Sequence, residues 1–418
     1  MISKYQIIVT NIKEQISSGQ LKTSDKLPSI RQLSQQFSCN KDTVQKALAE
    51  LRHQNLIYPI HKSGYYVLET PDQTEPLALP ESDIANIAYD DFRLCLNETL
   101  VGRENYLFNY YHKQEGLEDL LQSVQKLLVA SSVYSKQDQL VITSGTQQAL
   151  YILSQMMFPS SGGTILLEEP TYPRMIELVK TLGLAYQTIP RNWSGINLTA
   201  LEAIFKSGNI TFFYTIPRLH NPLGMSYTVA EKQAIVALAA KYQVYIIEDD
   251  YMADFDAKRQ APLHYYDTNH RVIYIKSFSA SIFPALRLAT VVLPNLLLKA
   301  FLSYKQLIDF DTNLILQKAL SLYIDNGMFE KNKLALQTHL KHNQAQNQQL
   351  LNKARNPFPY QLLNQQVIFQ IDKSRFNNLQ LAKLEQFDQL DANYLTQNAK
   401  QYLRITGQKE LKMFLDLL

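Results

Sequence analysis

The sequence predicts an α/β protein in two parts. A small helical module ending in a β-hairpin comes first, and a large domain with a mainly parallel sheet and a smaller α+β domain follows. Three observations carry this reading. Residues 3–68 hold three helix-periodic stretches and then two short runs rich in Ile, Tyr and Val. Residues 71–83 contain three prolines and little periodicity, which reads as an extended linker. From residue 84 onward, apolar runs alternate with amphipathic stretches, the pattern of buried parallel strands covered by helices. The expected division is residues 1–70, a linker over 71–83, and a body over 84–418 whose large part ends at about residue 310 and whose small part covers 311–418.

Composition bounds the function. A chain of 418 residues that is 46% hydrophobic can bury a sizeable core in more than one domain. With 41 Lys and Arg against 38 Asp and Glu, the formal charge of +3 is too small for a globally basic nucleic-acid protein. Its distribution is uneven: residues 1–70 hold nine basic and five acidic residues, a surplus of +4, so the rest is near −1. A surplus confined to one small module suits a DNA-contacting face. Cys39 and Cys95 are the only cysteines, which argues against a disulfide framework or a thiolate metal site, and no metal is expected. The start has no secretory apolar core and no run is long enough to span a bilayer, so a cytoplasmic protein without a membrane partner is expected.

In the first module, Ser3 can cap a helix carrying Ile8, Ile12 and Ile16 on one face, with Gly19 to end it. A second helix follows Pro28 with Ile30, Leu33 and Phe37 inward. After the Ser38-Cys39-Asn40 turn, a third carries Val44, Ala47, Leu48 and Leu51 on one face and Lys41, Thr43, Gln45 and Lys46 on the other. Strands around Ile57-Tyr58 and Tyr65 to Leu68, joined through Lys62, complete a winged helix-turn-helix pattern. A helix starting near Lys41 can enter a major groove, where Thr43, Gln45 and Lys46 reach base edges or phosphates. Arg31 and Lys41 are phosphate candidates, and Lys62 sits at the wing tip. A three-helix domain with a solvated polar face is the other reading of the same spacing. The segments from Lys26 to Leu33 and from Thr43 to Leu48 resemble the GntR family, which implies binding to double-stranded promoter DNA. Lys41 stands where that family usually has arginine, keeping the charge but not the bidentate fork.

In the body, strands are expected at 140–143, 164–167, 211–214, 244–247 and 272–275, and helices at 147–157, 173–182, 198–205 and 229–241. Ser144-Gly145-Thr146 follows a strand and opens a helix, a place where backbone N–H groups and a hydroxyl can cradle a phosphate. A plain strand-to-helix turn has the same pattern. Asp249 and Tyr251 lie just past an apolar strand, where open α/β sheets place ligands. Acids at a strand end can also cap a helix or pair with a base.

The order of these segments resembles the fold-type I, PLP-dependent transferases. The match runs through Ser144 to Leu150, Glu168 to Pro173, Pro217 to Gly224, Glu248 to Tyr251 and Ile275 to Arg287. The resemblance implies that Ser144, Gly145, Thr146, Ser277, Ser279 and Arg287 line a phosphate cup. It places Tyr172 against the cofactor ring, Asn221 and Tyr251 at its phenolic oxygen, and Asp249 at its pyridine nitrogen. Tyr172 as ordinary packing is an equally good reading among 25 tyrosines. Arg404, in Tyr402-Leu403-Arg404-Ile405-Thr406, matches an arginine that grips an effector carboxylate, although a lone arginine also reads as surface charge.

A GntR-like module joined to an aminotransferase-like body resembles the MocR family of regulators, which implies a homodimer, promoter DNA, and PLP with an amino compound as effector. One position departs. Where the family carries the lysine that bonds PLP, this chain has Ala280, and a methyl group can neither form an imine nor shuttle protons. Lys276 is four residues away, roughly 13 Å along an extended chain, so it replaces the missing amine only by a different local path. Between Pro80 and Tyr110 the family's glycine-containing opening motif is missing. The leading expectation is a DNA-binding regulator, with no catalytic residue, that senses PLP or a related anion noncovalently. A regulator with a ligand-free dimerisation scaffold, and a residual PLP enzyme, are the alternatives.

Overall fold

The computed structural model describes residues 4–22, 25–53, 56–60, 64–67, 83–100, 113–159, 163–256, 260–354, 356–363, 365–384, 386–389 and 400–418. The chain divides into two compact units, Met1–Glu81 and Ser82–Leu418. Ser3, Lys62 and almost all of the expected linker lie outside the described residues.

In the first unit, α1 (Lys4–Ser17), α2 (Ile30–Gln36) and α3 (Lys41–His53) precede β1 (Ile57–Ile60) and β2 (Gly64–Val67). The two strands pair antiparallel, Ile57 opposite Val67 and Ile60 opposite Gly64. Local chemistry sets the helix starts. Ser29 and Gln32 form a reciprocal capping box at α2, and the Asn40 side chain accepts from the Thr43 backbone at 2.9 Å at α3. Ile8, Val44, Ala47, Leu48 and Leu51 are fully buried in one cluster. Truncating Leu48 to alanine would cost about 2–5 kcal/mol.

The second unit opens with α4 (Asp83–Thr99) and α5 (Glu118–Val129), then β3 (Leu140–Thr143), α6 (Thr146–Gln155), β4 (Thr164–Glu169) and α7 (Pro173–Thr181). Next come β5 (Tyr186–Asn192), β6 (Gly195–Ile196), α8 (Leu198–Lys206), β7 (Ile210–Thr215), α9 (Val229–Tyr242) and β8 (Tyr245–Asp249). They lead to α10 (Leu263–Tyr266), β9 (Val272–Ser277), β10 (Ala289–Val292), α11 (Asn295–Ile308), α12 (Leu314–Asp325) and α13 (Met328–Lys353). The closing part holds β11 (Tyr360–Leu363), β12 (Gln366–Asp372), α14 (Asn378–Leu384), β13 (Asp388–Gln389), β14 (Lys400–Thr406) and α15 (Gly407–Leu415).

The large sheet runs β3-β10-β9-β8-β7-β4-β5-β6. The run from β9 to β5 is parallel, and β10 and β6 are antiparallel to their neighbours. Every residue of β3, β8 and β10 is buried, as expected of strands covered on both faces. The cluster around Leu167, Tyr214, Ile247 and Ile275 fills one side, and α12 joins α4 and α5 in a second cluster against β3 and β10. The closing sheet, β11-β12-β14-β13, is entirely antiparallel and buries Phe369, Leu403 and Phe414. This is an N-terminal helix-turn-helix module plus a fold-type I aminotransferase-like body with a small antiparallel sheet at its end.

All five expected strands and the four expected helices between them form, with ends shifted by one or two residues. Within the large sheet three strands were not anticipated, β5, β6 and the antiparallel β10, and the four strands of the closing sheet had no assigned positions. Among the described residues no helix is long and apolar enough to cross a membrane.

Candidate functional site: a cavity at the strand ends and a groove on the first unit

The carboxyl ends of β7, β8 and β9 and the start of α6 converge on a cavity of about 270 Å³. Its wall brings together Thr146, Tyr172, Asn221, Asp249, Tyr251, Ser277, Ser279 and Arg287, eight of the residues singled out from the sequence. Gln147, Ile216, Ala280 and Pro284 complete the lining.

One end is built for an anion. Gly145 caps α6 at φ +80°, so the first turn of the helix, with its unsatisfied N–H groups, opens there. A Cβ on Gly145 would sit 3.6 Å from the Arg287 guanidinium, which places the arginine at the helix start. Arg287 has a left-handed φ of +50° and an exposed side chain with no salt bridge or side-chain hydrogen bond among the described residues. Thr146 Oγ1 is buried and has no hydrogen-bond partner among those residues. Ser277 Oγ accepts the Ser279 N–H at 3.2 Å, curling the chain after β9 toward the same end. Ser144 is set apart: its hydroxyl donates to Asp309 at 2.9 Å and it does not line the cavity. Asp309 also accepts from Gln148, so the two polar side chains close a cluster of their own.

Asp249 ends β8 and receives the Tyr214 hydroxyl on Oδ2 at 2.8 Å, while its Oδ1 is buried with no hydrogen-bond partner among the described residues. Burial pushes its carboxyl up to about 7, against the pull of the Tyr214 hydrogen bond. Strand alternation sends its neighbours elsewhere. Glu248 accepts the Leu263 and Leu263-following His264 N–H groups, each at 2.8 Å, at the start of α10. Asp250 pairs with Arg218, whose Nε donates at 2.9 Å, and also accepts the Tyr274 hydroxyl at 2.7 Å. Helix capping and pairing with a basic side chain, the alternatives open to this acidic run, therefore describe Glu248 and Asp250 but not Asp249. Tyr251 is pushed above the usual phenol range, chiefly by burial and then by Asp249. Gln147 donates to the Tyr172 hydroxyl at 3.2 Å.

A buried network holds the loops that carry Tyr172 and Asn221. Glu168, at the end of β4, pairs with Arg191 and accepts the Tyr227 hydroxyl at 2.5 Å, the Thr215 hydroxyl at 2.6 Å and the Ile216 N–H at 3.0 Å. His220 Nε2 lies 3.2 Å from the same carboxylate, and its Nδ1 accepts from the Leu223 N–H. Burial alone would raise the Glu168 carboxyl, yet Arg191 and its other partners hold it at about 2. Glu168, Arg191, Tyr214 and Gln147 were not singled out from the sequence. Glu168 and Gln147 stand inside the motifs that were, but Arg191 and Tyr214 carry no local signal.

Lys276 is buried on β9 and its Nζ is 2.6 Å from Asp254, which also accepts the Ser281 hydroxyl at 2.5 Å. It does not line the cavity, whereas Ala280 does, with an exposed methyl group. Arg404 lines an adjoining cavity instead, of about 380 Å³, which shares Asn221 and Tyr251 with the first.

On the first unit, Arg31, Lys41 and Gln45 line one groove together with Lys26 and Gln32, two residues not singled out from the sequence. Thr43 and Lys46 are not in its lining. Thr43 donates its hydroxyl to Asn40 at 2.5 Å, and Lys46 Nζ lies 4.7 Å from the centre of the Tyr5 ring.

Comparison with known proteins agrees with this layout. Residues 4–67 match the bacterial regulatory proteins of the gntR family, and residues 96–412 match aminotransferase class I and II. The HTH-type transcriptional regulator YcxD of Bacillus subtilis is 39% identical over 342 residues, covering 79% of this chain and 76% of that protein. The HTH-type transcriptional regulator NorG of Staphylococcus aureus is 23% identical, over 76% of this chain and 79% of its own. Among solved structures, Pyrococcus horikoshii kynurenine aminotransferase superposes with a TM-score of 0.68 at 21% identity, over 79% of this chain and 85% of that one. LysN, an α-aminoadipate aminotransferase of Thermus thermophilus, gives 0.67 at 20% identity, over 79% and 87%. Those likenesses speak for the fold. The chain belongs to the MocR-type HTH transcriptional regulators, in which a gntR-family DNA-binding module is fused to an aminotransferase class I and II domain.

Proposed function

We propose that this regulator takes up pyridoxal phosphate, or a close phosphorylated relative, without forming a covalent bond to it, and that the ligand adjusts its hold on promoter DNA. The observation that carries the reading is the coexistence, in one cavity, of Arg287 at a helix start and an Asp249 oxygen, both unpaired among the described residues, with Ala280, the position that by resemblance would carry the bonding lysine. A phosphate suits the first group, with Thr146, Ser277 and Ser279 to donate hydrogen bonds. A protonated ring nitrogen suits Asp249, whose burial makes an unpaired carboxylate costly. Tyr172 offers a ring face, and Asn221 and Tyr251 offer polar groups for a ring oxygen.

Bound pyridoxal phosphate would supply an aldehyde and an electron-withdrawing ring. Among the described residues the cavity wall offers it no amine. Lys276 is engaged with Asp254, so a substitute bond from that lysine is disfavoured. Aminotransferase turnover, which needs a lysine to bond the cofactor and move protons, is therefore not the proposed role. A purely structural scaffold is the weaker reading, because it leaves the buried Asp249 Oδ1, which has no hydrogen-bond partner among the described residues, without a task.

Regulation requires the ligand to bind the DNA-competent and incompetent forms differently. Calorimetric titration of the full chain with pyridoxal 5′-phosphate and pyridoxamine 5′-phosphate tests the first half, and the same titrations in the presence of target DNA test the second. Saturable binding of either compound supports the reading. Absence of binding by both at millimolar concentration removes it and leaves the scaffold.

A further inference from the structure

We infer that the ligand is recognised without regard to the group at position 4 of its ring, so that the aldehyde, amine and alcohol forms of the phosphorylated pyridine count equally. The inference rests on the reading of the cavity as a phosphopyridoxyl site, and it names which members of that class the site takes. On such a ring the nitrogen stands at position 1, the oxygen at position 3 and the phosphate arm at position 5. With Asp249 for the nitrogen, Asn221 and Tyr251 for the oxygen and Arg287 for the phosphate, position 4 has one place left. It lies across the ring from Asp249, between the oxygen and the arm.

The rest of the lining has almost no polar side chain to set against that position. Ile216, Ala280 and Pro284 complete the wall with Gln147, and the first three carry no side-chain donor, acceptor or charge. Ala280, which by resemblance stands at position 4, presents a methyl group. Gln147 donates its amide to the Tyr172 hydroxyl at 3.2 Å, on the residue that offers a ring face. Lys276, on the strand that leads to Ala280, lies outside the wall with its amine 2.6 Å from Asp254.

An aldehyde gains nothing over an alcohol where no amine can add to it. Ala280 and Pro284 are both exposed, so a charged aminomethyl group beside them keeps its water and escapes the burial penalty that would set it apart. A neutral hydrogen bond would separate the forms by about two- to tenfold in affinity, and these apolar side chains supply none. The regulator then responds to the summed concentration of the phosphorylated forms rather than to the reactive aldehyde alone.

The test titrates the full chain by calorimetry with the 5′-phosphates of pyridoxal, pyridoxamine, pyridoxine and 4-deoxypyridoxine, which differ only at position 4, the last having a methyl group there. All four are expected to bind within about fivefold of one another. In Gln147→Leu, which removes the remaining polar side chain of that wall, the spread should persist. In Ala280→Lys the aldehyde should gain about tenfold or more over the 4-deoxy compound, because the added amine can bond it. If, in the unmodified protein, any form differs from the 4-deoxy compound by more than about fivefold, position 4 is read and the inference is wrong while the phosphopyridoxyl reading stands. The same holds if Gln147→Leu changes the spread beyond that margin, or if Ala280→Lys binds all four and gives the aldehyde no advantage. If none of the four binds to the unmodified protein, both are wrong.

Discussion

The Tyr214 hydroxyl donates to Asp249 across 2.8 Å on one carboxylate oxygen, and the other oxygen is buried with no hydrogen-bond partner among the described residues. The tyrosine comes from β7 and the aspartate from β8, adjacent parallel strands in register through Tyr214 and Ile247. A carboxylate so placed is half satisfied. It is oriented by one neighbour and costly until something positive meets the second oxygen.

That cost predicts a pH signature. The Asp249 carboxyl is pushed up to about 7 from an ordinary 3.8, so between those values the folded chain binds more protons than the unfolded one and stability falls as pH rises. Above pH 7 the penalty is fully present, and Asp249→Asn should raise the melting temperature of the ligand-free protein at pH 8 by a few degrees. Ligand binding should respond in the opposite sense. A cationic ring nitrogen lowers the aspartate's proton affinity, so binding weakens as pH drops from 8 to 6.5, and Asp249→Asn removes that component along with much of the affinity. Thermal melts and titrations across this range check both signs.

The anion end depends on Arg287 and on the backbone that approaches it. Arg287→Ala should weaken binding of pyridoxamine phosphate by about 1.5–3 kcal/mol, the range for hydrogen bonds to charged groups. Lysine at the same position should recover only part of this, because it lacks the planar fork. Gly145→Ala forces a side chain onto a φ of +80° and ψ of 171°, a region nearly exclusive to glycine, at about 1–3 kcal/mol. Calorimetry for affinity and denaturant unfolding for stability separate the two effects.

Lys276 is a strut. Burial raises the Asp254 carboxyl, but Lys276 and Ser281 bring it below the usual range overall. Lys276→Met leaves that carboxylate buried without its cation and should cost about 3–5 kcal/mol in unfolding free energy. It should leave the absorbance of added pyridoxal phosphate as it is with the unmodified protein. A lysine bonding the ligand would behave differently, losing a spectral band.

On the first unit, Lys26→Ala and Lys41→Ala should weaken DNA binding evenly across sequences, each reducing the salt-dependence slope by about 0.9. Gln45→Ala should instead cost about 1–3 kcal/mol on a preferred sequence and relax discrimination at one base position. Thr43→Val should change affinity little, because its hydroxyl is occupied by Asn40. Fluorescence anisotropy against a preferred and a scrambled duplex at several salt concentrations distinguishes these outcomes.

The sheet was legible where strands are buried on both faces. Val244 to Ile247 and Val272 to Ile275 are unbroken apolar runs, and the site residues that follow them sit at strand ends by topology alone. β5 was hidden because Pro190 and Arg191 interrupt its pattern, and Arg191 is buried only because Glu168, 23 residues earlier, meets it. Tyr214 looks like any strand tyrosine until Asp249 is brought alongside, 35 residues later. Ser144 has the motif of a phosphate loop, but Asp309, which captures its hydroxyl, is 165 residues away. Local patterns fix elements and strand-end positions; pairings between distant residues decide which side chains remain available.

The central claim, reversible capture without a bond, is tested most directly by titrating pyridoxal 5′-phosphate into the unmodified protein and into Ala280→Lys, following absorbance and heat together. The account predicts saturable heat without an imine band for the unmodified protein and the appearance of that band in Ala280→Lys. An imine band in the unmodified protein would contradict it by revealing a bonding amine, and the absence of binding by both proteins would contradict it by showing that the cavity is not a phosphopyridoxyl site.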